Sequence, residues 1–212
     1  MAIAPIQRPP GREIFFATVH MRSNPRDTER VKFSYEAAKA GHAKQFRRDG
    51  VTRYFDHPKR AAWIYLDELG GMDMDVAINI LLHDIGEDSY LLSFYRMKLN
   101  FGKRCALDHF ALTKLAKGKE TVVEYLNRIM HRGPRAIVAK LCDRLDNIRD
   151  IGSCTREQIE KIITETEEYH TPLLIKELKK YGGEWNRMAD LLSQKIADAL
   201  LVAKERLQDE SW

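Results

Sequence analysis

From Asp27 to Leu207, apolar residues recur every three or four positions in one segment after another, while the two-residue alternation of a strand is nearly absent. The segments run over about 28–42, 57–69, 73–86, 90–99, 103–116, 119–131, 134–150, 155–180 and 185–208. Their punctuation agrees with helices. Gly70-Gly71 closes one, Gly133-Pro134 opens another, and Gly182-Gly183 separates the last two. A chain of this kind can bury its apolar stripes only by packing helix against helix, so the expected fold class is all-α, a single compact multi-helix bundle. Its 212 residues suit one domain, and no repeat, low-complexity tract or linker divides them. Residues 1–26 contain Pro5, Pro9 and Pro10 and lack sustained periodicity, which reads as an N-terminal arm ahead of a domain over 27–212.

Composition narrows the class of function by exclusion. With 44% hydrophobic and 31% charged residues the chain has enough apolar surface to fold. A net charge of +4, from 35 basic and 31 acidic residues, is too small and too dispersed to mark a nucleic-acid binder. Three cysteines, Cys105, Cys142 and Cys154, are an odd number without metal-type spacing and point to a reducing, cytoplasmic location. The first apolar run, Ile14 to Ala17, comes too late and is too short for a signal peptide, and no uncharged stretch has the length of a membrane span.

The chemistry concentrates in three segments. In the helix around 73–87, Val76, Ala77, Ile80 and Leu81 form an apolar stripe, and Asp84 falls inside it. A carboxylate directed into apolar surroundings is costly unless it is paired or bound to a cation. His83 stands beside it, and Glu87 and Asp88 follow one turn later. The ordinary alternative is a chance His-Asp pair at a fraying helix end, with both later carboxylates solvated. The second segment is 140–147, with a stripe of Val138, Leu141, Leu145 and Ile148; Asp143 and Asn147 share an edge outside it, suited to a cleft wall or to a solvated face. The third is Asp56-His57-Pro58, where Pro58 places His57 at a helix start, as ligand or as simple cap. Two neutral imidazoles and two carboxylates, His57, His83, Asp84 and Asp143, would neutralise a divalent cation and leave positions open for water and substrate. Mixed nitrogen and oxygen ligation without thiolate suits manganese, iron or magnesium better than structural zinc.

The ordered pattern His57, His83-Asp84, Asp143 resembles the HD superfamily of metal-dependent phosphohydrolases. The flanking runs from Gly41 through Gln45, Arg47 and Gly50, from His83 to Ser89, from Lys140 to Arg149 and from Glu165 to Leu173, with Phe101-Gly102, are similar to the hydrolase domain of RelA/SpoT homologues over about residues 33–178. The resemblance implies an all-helical HD-domain bundle that removes the 3′-diphosphate of ppGpp and pppGpp and releases pyrophosphate. It implies His57, His83, Asp84 and Asp143 as metal ligands, usually for Mn²⁺, and Glu87 and Asp88 as the pair that activates and orients water. It also implies Arg47 near the diphosphate and Asn147 at the nucleotide. Lys44, Arg48 and Arg53 add cations ahead of His57, or, for Lys44 and Arg53, a solvated basic loop.

The chain departs from the family pattern in an extra residue between Gln45 and His57, in Ser89 where Thr is common, and in Asp146 where His is common. This last change is expected to alter either the nucleotide contacts or the response to pH. After the matching region about 30 residues remain, mostly a helix over 185–208 that closes the core or forms a dimer contact, and no alarmone synthetase domain fits there. The expected function is therefore that of a stand-alone small alarmone hydrolase, paired in function with a separate synthetase. The alternatives are an antitoxin-type hydrolase of (p)ppApp or of a 3′-pyrophosphorylated tRNA end, another HD nucleotidase or phosphodiesterase, and a non-enzymatic nucleotide-binding module.

Overall fold

The computed structural model describes residues 9–85, 93–116 and 118–208. Among them the regular structure is helical, and the sole strand-like pairing is an isolated antiparallel bridge between Phe46 and Arg53. No helix among the described residues is long and apolar enough to cross a membrane. The all-α expectation is met, and most boundaries fall within a few residues of the periodicity.

The first helix is a correction. Residues expected to lie in an irregular arm form α1, Arg12–Arg22, which buries Phe15, Phe16 and Val19. The Phe15 ring lies 5.3 Å from Tyr35 and 6.4 Å from Trp63, so this helix is part of the core. Its apolar content is packed into a single short stretch, too brief to show a period. Helix α2, Pro25–Gly41, starts with Asn24 accepting from the Asp27 amide and Pro25 in the first turn, a pairing that satisfies one end-of-helix donor and removes another.

Helix α3, Asp56–Trp63, continues into a wider π-helical turn over Ile64–Glu68. Helix α4, Met74–Leu82, is capped by Asp73 and buried on every side, packed against α2, α3 and two later helices. Its polar face, carrying Asp75, is tolerated in the interior because Arg30 and Arg104 reach that carboxylate at 2.6 and 2.7 Å. Helix α5, Phe94–Leu112, breaks at Gly102, whose φ of +87° a residue with a side chain rarely adopts. Helix α6, Val122–Arg132, and helix α8, Arg156–Glu165, each begin with a reciprocal cap, Thr121 with Glu124 and Thr155 with Gln158.

Between them runs α7, Pro134–Arg149, which is buried along almost its whole length and pairs with α4 as the central pillar. After α8 the chain widens into a π-helical stretch, Thr166–Ile175, that accommodates Pro172, a residue lacking the amide needed for an α-helical ladder. It ends in a short α-helical turn, Lys176–Lys179. The last helix, α9, Gly183–Gln208, lays Met188, Leu192, Ile196 and Leu200 on the core and packs against α7, which agrees with the core-closing reading of the C-terminal segment.

Gly71 shows how tightly the α3–α4 connection is built. A Cβ placed there would lie 2.2 Å from the ring of Tyr65, whose hydroxyl accepts from the Asp73 amide and donates to its carbonyl. Gly71→Ala is expected to destabilise the fold by about 1–3 kcal/mol through overpacking. For a domain of this size that lowers Tm by about 2–4 °C per kcal/mol, which a thermal melt reads directly.

Candidate metal centre

Two helix ends and the middle of a third helix meet in the interior. The first turn of α3 supplies His57, the residues just past α4 supply His83 and Asp84, and the middle of α7 supplies Asp143. One ligand atom each from His57, His83 and Asp143 lies within 4.8 Å of the other two, and all three residues are buried. Asp84 joins them: its Oδ1 is 3.1 Å from His83 Nε2 and its Oδ2 is 3.6 Å from His57 Nε2. His57 Nε2 is also 3.2 Å, and His83 Nε2 3.4 Å, from Asp143 Oδ1. All four residues that the sequence singled out therefore face one point.

The hydrogen bonds around this point fix which atoms are free. His83 Nδ1 donates to the carbonyl of Ile80 at 2.7 Å, so in the neutral ring the lone pair is on Nε2. That buried Nε2 has no hydrogen-bond partner, although carboxylate oxygens stand on two sides of it. A lone pair facing carboxylate lone pairs is repulsive unless a cation or a proton lies between them. Without a metal, protons take that place. Burial opposes a charged imidazole, yet Asp84 and Asp143 outweigh it and hold His83 well above its ordinary value, while Asp143 and Asp146 raise His57. Burial likewise opposes the ionised carboxylates, but His83 and His57 lower Asp84, and Lys140 with both imidazoles holds Asp143 well below the usual range. Two imidazoles and two carboxylates converging on one unpartnered lone pair form a donor set that fits a divalent metal.

Further contacts hold the ligands in place. Tyr54 donates to Asp84 Oδ2 at 2.9 Å; burial, then Asp84, push its hydroxyl pKa upward and keep it a donor. Lys140 reaches Asp143 Oδ2 at 2.7 Å, and the Asn147 amide donates to Asp143 Oδ1 at 2.6 Å. The Asn147 carbonyl accepts from Arg47 at 3.3 Å, so Asn147, expected at the nucleotide, lines the cavity with its amide bound to Asp143. Asp146, the departure from the family pattern beside Asn147, is turned away from the cavity: it is buried beneath His57 and clamped by Arg60.

Above the four residues opens a cavity of about 640 Å³. Arg47 and Arg48 line it as expected, Arg48 with its guanidinium 2.7 Å from the Cys154 sulfur. Lys44 is exposed and does not line it, and Arg53 is exposed on the far strand of the bridge to Phe46. Glu87 and Asp88 lie outside the described residues. Sequence reasoning missed Tyr54, Lys140, Arg144 and Lys161 on the cavity wall. Lys140 was detectable in principle, one helical turn before Asp143. Lys161 comes from α8, which carries no part of the metal pattern and so gave no signal.

No family model matches the chain. Among curated proteins, a guanosine-3′,5′-bis(diphosphate) 3′-pyrophosphohydrolase of Aquifex aeolicus is 37% identical over 154 residues, covering 70% of this chain and 22% of that protein. The bifunctional (p)ppGpp synthase/hydrolase SpoT of Escherichia coli K12 is 32% identical over 153 residues, 68% of this chain and 21% of its own length. A GTP pyrophosphokinase of Streptomyces coelicolor is 34% identical over 149 residues, 68% and 17%. The chain thus spans about a fifth of the length of the relatives it matches. A solved structure described as a metazoan ortholog of SpoT that hydrolyzes ppGpp superposes with a TM-score of 0.65 at 21% identity, covering 87% of this chain and 97% of that one. At that identity the structural likeness is one of fold, and it agrees with the sequence relationship. The chain carries an HD domain of the RelA/SpoT type.

Proposed function

We propose that this chain is a metal-dependent 3′-pyrophosphohydrolase of ppGpp and pppGpp, using manganese and releasing pyrophosphate. The observation that carries the reading is the buried, unpartnered Nε2 of His83, facing Asp84 and Asp143 at the floor of a cavity with arginines and lysines on its wall. A hydrolase of a highly anionic nucleotide needs both parts. The names of the curated relatives, which include 3′-pyrophosphohydrolases, support the choice of substrate.

In this reading His57, His83, Asp84 and Asp143 hold the metal. When bound, it supplies Lewis-acid polarisation of the phosphoryl group and offsets the charge developing there. Arg47 and Arg48, with Lys140, Arg144 and Lys161 on the same wall, bind and orient the phosphates. Lys140 and Asn147 hold the Asp143 carboxylate in one orientation, so no rearrangement is needed at the moment of reaction. Glu87 and Asp88, three and four residues after Asp84 in the chain, activate and orient the attacking water.

Purified protein incubated with ppGpp and Mn²⁺ is expected to release pyrophosphate, and a chelator is expected to stop it. Release of inorganic phosphate instead would make the chain a different HD nucleotidase. Substitution separates the roles. Asp84→Ala is expected to lose both bound metal and turnover, whereas Glu87→Ala keeps the metal and loses about 10²–10⁴ in kcat, the usual contribution of a general base. Metal content and kcat measured on the same preparations decide the matter, and full activity in Asp84→Ala would sink the ligand assignment.

The raised imidazoles also give the binding a pH dependence. In the metal-free protein His57 and His83 titrate above their ordinary 6.5, so their protonated forms stabilise the fold fully below that value, and this contribution is lost as pH rises through the raised values. A metal must displace those protons. The difference in Tm between Mn²⁺-loaded and chelated protein is therefore expected to widen as pH is raised from 5.5 to 8, and a difference independent of pH would contradict proton competition at these imidazoles.

A further inference from the structure

Helix α7 presents Asp143, Asp146, Asn147 and Asp150 at successive spacings of three, one and three, which places all four on one face, toward α3. Asp143 reaches the metal centre from this face. The other two carboxylates enter a buried chain of alternating charge behind it. Asp146 Oδ2 lies 2.6 Å from His57 Nδ1. Arg60 donates through Nε to Asp146 Oδ1 at 2.8 Å and through Nη2 to Asp146 Oδ2 at 3.1 Å. The same Nη2 reaches Asp150 Oδ2 at 2.7 Å, and that oxygen also accepts from Arg47 Nε at 2.8 Å. His57, Arg60, Asp146 and Asp150 are all buried, and Asp146 has no surface on the cavity.

We propose that Asp146, clamped by Arg60, is a positioning residue for His57, a role additional to the ligands and substrate contacts above. The inference rests on the metal-dependent reading of the site. An ionised carboxylate only accepts hydrogen bonds, so its partner nitrogen on His57 must carry the proton. Nδ1 is thereby kept as donor, and Nε2, which points at Asp143 and Asp84, is the nitrogen left to bind metal. Arg60 occupies both oxygens of Asp146 and so fixes the plane of the carboxylate, and through it the plane of the imidazole. A free carboxylate in this interior would be costly; Arg60, Asp150 and Arg47 balance it without drawing on the metal-site charges.

A purely structural ion cluster joining α3 to α7 would make the same contacts, so the test must read the metal. Asn and Leu are nearly the same size, and in the double variants Arg60→Met removes the clamp together with the Asp146 charge, so no buried charge is left unpaired, since Asp150 keeps Arg47. Mn²⁺ affinity is measured by electron paramagnetic resonance of free Mn²⁺ on wild type, Asp146→Ala, Arg60→Met/Asp146→Asn and Arg60→Met/Asp146→Leu, each checked for folding by a metal-free melt. The Asn double variant keeps an oxygen to accept from Nδ1 and is expected to bind more tightly than the Leu double variant. The Ala and Leu variants are expected to lose about 10–100-fold in affinity, the usual effect of removing a partner that orients a ligand. Equal affinity in the Asn and Leu double variants, or undiminished binding in Asp146→Ala, would overturn the positioning role and leave the metal reading standing. A wild-type protein that binds no Mn²⁺ would overturn the metal reading itself.

Discussion

Four ionisable side chains meeting in the interior of a helical bundle set the terms for everything around them. Each of His57, His83, Asp84 and Asp143 has lost most of its water, and a lone carboxylate or imidazolium in such a place costs several kcal/mol. The structure answers by mutual compensation: imidazoles against carboxylates at the centre, Lys140 on Asp143, Tyr54 on Asp84, and a further pair of arginine–aspartate contacts behind His57. Helices α3, α4 and α7 are therefore joined by charge as well as by apolar packing. The candidate metal centre is the place where, with both imidazoles neutral, those charges call for a further cation.

The proposed metal and substrate places follow from the same geometry. Carboxylates gather on the floor and cations on the wall, so under the proposed function a divalent ion and a polyphosphate take separate but adjoining places. The bridge between Phe46 and Arg53 holds the basic segment carrying Arg47 over the opening, and Asp150 with Asn147 fixes the Arg47 guanidinium. Rigid cations cost less to order around a substrate than flexible ones. This is where Arg47 differs from Lys44, which projects into solvent three residues earlier.

The bundle was legible because its signals are local. Helix stripes, the glycine pairs and the break near Gly102 are readable in windows of a few turns, and so was the outlier Asp84 inside an apolar stripe. Helix α1 was not, since its burial depends on Tyr35 and Trp63, aromatic residues that periodicity within α1 cannot reveal. The same limit applies at Asp146. Its neighbour Asn147 lines the cavity while Asp146, turned about 100° around the helix, meets Arg60 from another helix. Sequence spacing does not separate the two; the packing of α3 on α7 does. Lys161 was missed for a related reason, because it reaches the cavity wall from α8, a helix that shares no motif with the other site residues.

The bond from His83 Nδ1 to the Ile80 carbonyl has one further meaning. Ile80 lies in the last turn of α4, where carbonyls have no amide ahead of them along the helix, and His83 occupies the capping position. The imidazole thus ends its helix with one nitrogen and offers the other to the site. Where the helix stops and which tautomer the ring adopts are a single decision in this chain. Extending α4 by one turn would give the Ile80 carbonyl an ordinary backbone donor and free the imidazole to rotate. The length of a helix, usually a matter of folding alone, here sets the reactivity of a side chain.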